Sequence, residues 1–410
     1  MSSGLKRILL ILGLLTISAL IAWGIFTLFF KATPPPTTVG GTRPGAAPGQ
    51  LPGAGERVPG AGEATPSGGA EGGLPTAGAI PGATPSYFTP EPVTQLNADA
   101  AVFSSLAASG DFRYHNAQDG KFYRVGDAGQ TTALSDQVFY NVQNVTWAKT
   151  GNKAVLEYPD SSKILYNFDL KKQITLPKHW QDFSFSPDST EVAAKSLGLS
   201  PENRWLVVAK DDGTGTKLIE PLGDNGDRVT VDWSPSRQTV ALSRTGAPQG
   251  ADRVEVLFVG LNGENFKSTV VEGLNFQPQW SPTGKKLLYS VDSARSDFKP
   301  ELWVVNSYGD DIGSNRQTLR LNTWANKCSF GDDNTLFCAV PRDLPQGAGM
   351  SPAIADTLPD DMYKIDLKTG LTTNVPLGNN FHINSISYDA KKNKVLFTDP
   401  NKQGVFQVNL

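Results

Sequence analysis

Three stretches of this chain repeat one pattern: FSFSPDSTEVAAKS from Phe183, VDWSPSRQTVALSR from Val231, and PQWSPTGKKLLYSV from Pro278. Each has an aromatic residue, a short turn, an apolar strand-like run, and then a second such run. Weaker copies are VTWAKTGNKAVLEY from Val145, CSFGDDNTLFCAVP from Cys328, ISYDAKKNKVLFTD from Ile386 and, faintest, AVFSSLAASGDFRY from Ala101. After the aromatic, Ser-Pro presets φ, and a following glycine, where present, tolerates φ > 0, which is turn chemistry between antiparallel strands. The aromatic supplies a bulky group for packing on a neighbouring sheet.

The anchor aromatics are Phe103, Trp147, Phe185, Trp233, Trp280, Phe330 and Tyr388, separated by 44, 38, 48, 47, 50 and 58 residues. A third strand follows each hairpin (KFYRVGDAG, KILYNFDLK, RWLVVAKDDG, VEVLFVGLNG, ELWVVNSYGD, DMYKIDLKTG, GVFQVNL), and a short fourth follows the first six. Four short strands per 40–50 residues predict an all-β, seven-bladed β-propeller. Six blades is the alternative, because the first copy lacks the Ser-Pro turn. The seventh unit stops at its third strand, and a lone strand-like piece, VTQLN at 93–97, precedes the first anchor. Pairing VTQLN with VFQVNL would complete the last blade and remove an exposed edge. No long helical periodicity supports an α-solenoid.

WSPTGKKLLYS and FSPDSTEVAAKS resemble the WD40-like repeats of the TolB-like propeller family, common in exported bacterial proteins. The resemblance covers about residues 93–410 and implies the propeller fold. Its motif is a turn and a packing aromatic, so it implies no activity. The motif's Asp is kept at Asp188 and its Gly at Gly151 and Gly284, while several copies keep neither. TolB's second folded domain has no counterpart here, so no role in the Tol system is implied.

Ahead of the repeats the composition changes twice. Residues 1–7 form a short basic start with Lys6 and Arg7, and residues 8–30 are 23 positions without a charge. Such a run is long enough to span a hydrocarbon core of about 30 Å. It reads as a signal-anchor helix with a cytoplasmic N-terminus and an extracytoplasmic propeller at the cell membrane. A cleaved signal peptide is the competing reading, but the run is long and lacks an A-x-A ending. Residues 31–90 hold 14 Gly and 12 Pro, the composition of a disordered linker spanning about 40–45 Å as a coil. The propeller domain is expected over 91–410, as a monomer.

With 37 basic and 40 acidic residues and no dense Lys/Arg run, nucleic acid is not an expected partner. Cys328 and Cys338 correspond to Pro278 and Leu288 of the preceding repeat. Those two would lie opposite each other if Ser281–Gly284 form the turn, so a disulfide is expected. His115, His179 and His382 fall in different repeats without metal-ligand spacing, and neither a metal nor a cofactor is expected. No G-x-S-x-G nucleophile elbow is present. KDDGTG and FGDDNT do not match a calcium loop and read as tight turns.

The links between second and third strands are long, above all PRDLPQGAGMSPAIADTLPDD at 341–361. In a propeller they share one face with the links between blades. Elaborated loops on a rigid scaffold make a binding surface, with Arg244, Arg253, Arg295 and Arg342 as its candidate residues. The expected role is a binding or scaffold module for a protein, peptide or glycan partner. The alternatives are a propeller lyase or hydrolase with a central-channel site, and a purely structural envelope component. Catalysis would need ionisable groups at the inner strands, where Asp232 is the clearest candidate.

Overall fold

The computed structural model describes Thr16 and residues 93–250, 252–264 and 266–410. The anchor expected at 8–30, apart from Thr16, and the linker at 31–90 lie outside the described residues. Among the described residues no helix is long and apolar enough to cross a membrane.

Seven four-stranded antiparallel sheets form the ring. Blade 1 uses Ala101–Leu106, Phe112–Asn116, Phe122–Val125 and Thr131–Ala133, so the faint first copy builds a full blade. The first strands of blades 2–7 are Asn144–Trp147, Trp180–Phe185, Val229–Val231, Leu274–Trp280, Cys328–Phe330 and Ser385–Asp389. Blade 7 is completed by Thr94–Asn97, which pairs with Val405–Asn409 through Thr94↔Gln407 and Asn97↔Val405. The backbone N–H of Val405 also donates to Asn97 Oδ1 at 3.1 Å. Gly404 sits at φ +144°, and a Cβ there would overlap the Asn97 carbonyl.

Each blade is a twisted sheet with two apolar faces, so it must bury both against neighbours. Seven hydrophobic clusters do this, each shared by two consecutive blades, from Phe122 with Ala154 and Leu156 (blades 1 and 2) round to Tyr114 with Leu396 (blades 1 and 7). Trp233, among the largest fully buried side chains, anchors the cluster between blades 3 and 4.

The anchors close their turns by a shared geometry. Ser186, Ser234 and Ser281 each donate their N–H to the carbonyl five residues on. The fourth residue past the anchor is left-handed in blades 2–5: Gly151, Ser189, Arg237 and Gly284 at φ +69°, +59°, +65° and +74°. Glycine is therefore dispensable there except where space is short, as at Gly284, whose Cβ would press on Ser234 and Ser236 of blade 4.

Phe103 is not the blade 1 anchor. A bulge between Val102 and Ser105 puts Phe103 at φ +51°, and Leu106, opposite Phe112, takes the equivalent place before the turn. The reference alignment for the cysteines also shifts by one residue, since Pro278 pairs with Tyr289 and Gln279 with Leu288. Blade 6 has a turn one residue shorter, which puts Cys328 directly opposite Cys338. Their S–S distance is 2.13 Å, and both are buried in the core between blades 5 and 6.

Candidate functional site

The first strands line the axis and are laced to one another. Ser184 Oγ accepts the Trp233 N–H at 2.9 Å, and Ser329 Oγ accepts the Tyr388 N–H at 2.9 Å. The indole N–H of Trp147 donates to Phe103 O at 2.6 Å, and that of Trp280 to Asp232 O at 3.1 Å. Trp147 and Trp280 are thus both packing groups and donors to the preceding blade, whereas the buried indole N–H of Trp233 has no partner among the described residues. Asp182 accepts the Val231 N–H at 2.9 Å and pairs with Lys195 at 3.2 Å, so its carboxylate is structurally engaged.

At the hairpin face this axis widens into a funnel of about 690 Å³ lined by all seven blades. The motif proline rims it at Pro187, Pro235 and Pro282. In blade 2 the same position, two residues past the anchor, is Lys149. Lys149 lines the funnel, and desolvation lowers its pKa against the opposing pull of Asp232. Lys149 is nonetheless an exposed residue. Asp232, half-buried further along the axis, is pushed up to about 7 by burial, with Lys149 opposing and Asp182 adding to the shift. Neither the Lys149 ammonium nor the Asp232 carboxylate has a hydrogen-bond partner among the described residues. Asp232 was visible as an inward candidate, but its relation to Lys149 was not, because 83 residues and two blades separate them.

The candidate arginines lie at the loop face, and the structure brings only two of them together. Arg253 and Arg295 both pair with Glu272 at 3.2 Å. Arg316, absent from the sequence reading, joins them at 2.8 Å, and its hydrogen bond is the main reason the Glu272 carboxyl lies below its usual range. Arg295 and Arg316 also stack on Trp303 at 5.1 and 4.8 Å. Arg342 is held apart by Asp361 at 2.6 Å and Asn380 at 2.8 Å. Arg244 stands just past the second strand of blade 4, with its Nε buried and unpartnered among the described residues.

The long insert after Pro341 is an ordered strap. Two short 3-10 turns, Ala348–Met350 and Pro352–Thr357, pack Leu344, Ala348 and Ala355 on Trp324. The Gly347 and Gly349 N–H groups donate to Asp297 and Phe298 of blade 5, and Asn401 of blade 7 donates to Asp356 O. At its root, buried Lys327 and Asp360 pair at 2.9 Å. Burial pushes the Asp360 carboxyl up to about 6 despite Lys327 and the Ile383 N–H.

The histidines do not converge. His115 is buried with Nε2 3.0 Å from Phe139 O, and burial lowers its pKa. His179 is exposed, and the His382 N–H donates to Asp399. Among the described residues no cluster of three or more His, Cys, Asp or Glu could hold a metal. Asp212 and Asp332 each accept N–H groups from their own turns, at 2.9 Å from Thr214 and at 2.6 and 2.9 Å from Asn334 and Thr335.

No family model matches the chain, and no curated protein does. Solved structures do. The propeller domain of Cps50 (Swd1) from Myceliophteria thermophila superposes with a TM-score of 0.50 at 11% identity, covering 78% of this chain and all of that one. Oligogalacturonate lyase from Vibrio parahaemolyticus gives 0.47 at 10% identity over 77% of this chain and 93% of its own, and a manganese complex of such a lyase gives 0.48 at 12% over 78% and 97%. The chain is a seven-bladed, WD40-like β-propeller. At these identities the likeness is one of fold.

Proposed function

We propose that this propeller is a binding module, displayed outside the cell membrane on its anchor and linker, that docks a protein, peptide or glycan partner on its loop face. The TolB-like character of the repeats belongs to the same reading. One observation carries it. Five of the ten exposed large apolar side chains among the described residues, Val138, Tyr140, Leu199, Leu274 and Met350, lie in loops or at strand starts on that face. Arg253 and Arg295, each about half exposed, share the face. Exposed apolar groups accompanied by arginine are the composition of a recognition surface. Cross-linking in intact cells, comparing the native chain with a Tyr140→Ser/Leu199→Ser/Met350→Ser triple variant, tests it. Loss of the cross-linked partner is expected; equal recovery sinks the proposal. Protease added outside intact cells should cleave the propeller, and protection would defeat the assigned orientation.

A second reading, channel chemistry of lyase or hydrolase type, is favoured by Asp232. A carboxyl titrating near neutrality in a cleft suits general acid–base work. It requires that Asp232→Asn abolish turnover of any substrate found.

A further inference from the structure

On the face opposite the loops, the axial funnel combines features that no structural role accounts for. The turn carrying Lys149 is fastened by both neighbouring blades. Buried Arg113 stacks on Trp147 at 4.5 Å and donates to Gly151 O at 2.7 Å and Ala148 O at 2.9 Å. The Ala108 N–H donates to Lys149 O at 3.1 Å, and the Thr150 N–H to Ser189 Oγ at 3.0 Å. The backbone of Lys149 is therefore fixed to blades 1 and 3, while its ammonium is left without a partner. No carboxylate comes within ion-pair distance of it among the described residues. Of the other charges lining the funnel, Asp389 is engaged through Oδ1, while its Oδ2 has no hydrogen bond among the described residues and lies 3.9 Å from Lys392 Nζ. Asp389 accepts the N–H groups of Lys391 and Lys392 at 3.0 and 3.3 Å, and Lys391 Nζ donates to Ala108 O at 3.2 Å. The wall is mixed: Leu106, Trp147, Trp280, Phe330 and the three motif prolines supply its apolar part, and Ser105, Thr150, Gln279, Ser281 and Ser329 its polar part.

We propose that the funnel binds an apolar monocarboxylate, with its carboxylate on Lys149 Nζ and its body against Trp147, Trp280, Phe330 and the proline rim. An unpaired ammonium beside aromatic and proline side chains favours a single carboxylate on an apolar body over a neutral ligand. The volume lies within the usual range for small-ligand pockets, roughly 300–1,000 Å³. A free small acid and the C-terminal carboxylate of an apolar peptide present the same chemistry. This site is independent of the loop-face partner, and its test does not involve that face.

Calorimetric titration of the purified full chain with four probes decides it: 3-phenylpropanoate, its amide, Gly-Leu-Phe, and Gly-Leu-Phe amide. At least one acid should bind more tightly than its own amide by roughly tenfold or more, the scale of one charge-assisted hydrogen bond. Which acid does so identifies the source, small molecule or chain terminus. The preference should vanish in Lys149→Met and persist in Lys149→Arg. Asp232→Asn should tighten the acid about two- to fivefold by removing a like charge from the axis. The assignment is overturned if acid and amide bind alike, if none of the four binds at millimolar concentration, or if Lys149→Met keeps the preference. Weaker acid binding by Asp232→Asn would also overturn it, by making Asp232 a ligand group. The acid–amide comparison on the native chain stands whether or not a variant folds.

Discussion

Replacing Gly404 by alanine tests how the ring is shut. Gly404 precedes the third strand of blade 7 at φ +144°, a conformation that costs an L-residue about 1–3 kcal/mol. Its Cβ would overlap the Asn97 carbonyl, a backbone atom that cannot rotate away, so relief requires the Thr94–Asn97 strand to withdraw. Withdrawal weakens the bond from the Val405 N–H to Asn97 Oδ1 and the neighbouring ladder bonds, each worth about 0.5–1.5 kcal/mol net. The sum is roughly 2–4 kcal/mol. Gly370 is the matched control, at φ +74° with open space for at least 4 Å around the place a Cβ would take, where alanine should cost only about 1 kcal/mol. Urea midpoints of the two variants should differ accordingly. Hydrogen exchange should show lost protection confined to peptides covering 94–97 and 405–409. If Gly404→Ala matches Gly370→Ala in urea and leaves both strands protected, the closure described above is wrong.

Three further outcomes follow from buried groups. Lys327→Met strands Asp360 without its partner and should cost about 3–5 kcal/mol at pH 8; the loss should shrink at pH 5, below the Asp360 value of about 6, where the acid is protonated, and a pH-independent loss would contradict a buried carboxylate. The carboxyl of Asp232 has a folded pKa raised from 3.8 to about 7, so its stabilising contribution is full below about 4 and fades as pH rises through 7. Asp232→Asn should remove that fall, about 1–3 kcal/mol after allowing for channel water, leaving the urea midpoint flatter than native between pH 5 and 8; parallel profiles would refute it. Removing the disulfide by Cys328→Ala/Cys338→Ala should cost about 2–3 kcal/mol from its ten-residue separation, and alkylation of two free thiols in unreduced native protein would show that no bond forms.

The ring was legible because its cause is local and repeated. Every Ser-Pro turn fixes a hairpin by its own φ preference, and an outermost strand without a partner demands one. What failed was detail set by exceptions. Phe103 occupies the bulge position that Asp182 holds in blade 3, three residues before the anchor place taken by Leu106, and an aromatic letter there reads like an anchor. The shorter blade 6 turn likewise shifts the cysteine alignment by one. The motif prolines were read only as turn formers, although their position also makes them the funnel's rim. Lys149 is detectable in hindsight as the lysine standing where other repeats place proline. The Glu272 cluster was invisible for a different reason: Arg253, Arg295 and Arg316 come from two blades, and only packing shows that they share a carboxylate.

The closing pair also has a consequence for synthesis. Gln95 and Gln403, bonded at 3.0 Å, are 308 residues apart. At about 5–20 residues per second, the leading strand must wait roughly 15–60 s after emerging before its mate exists. During that interval every other blade can assemble, while the earliest-made segment stays unmatched. It is the first piece of the wheel to leave the ribosome and the last to be seated.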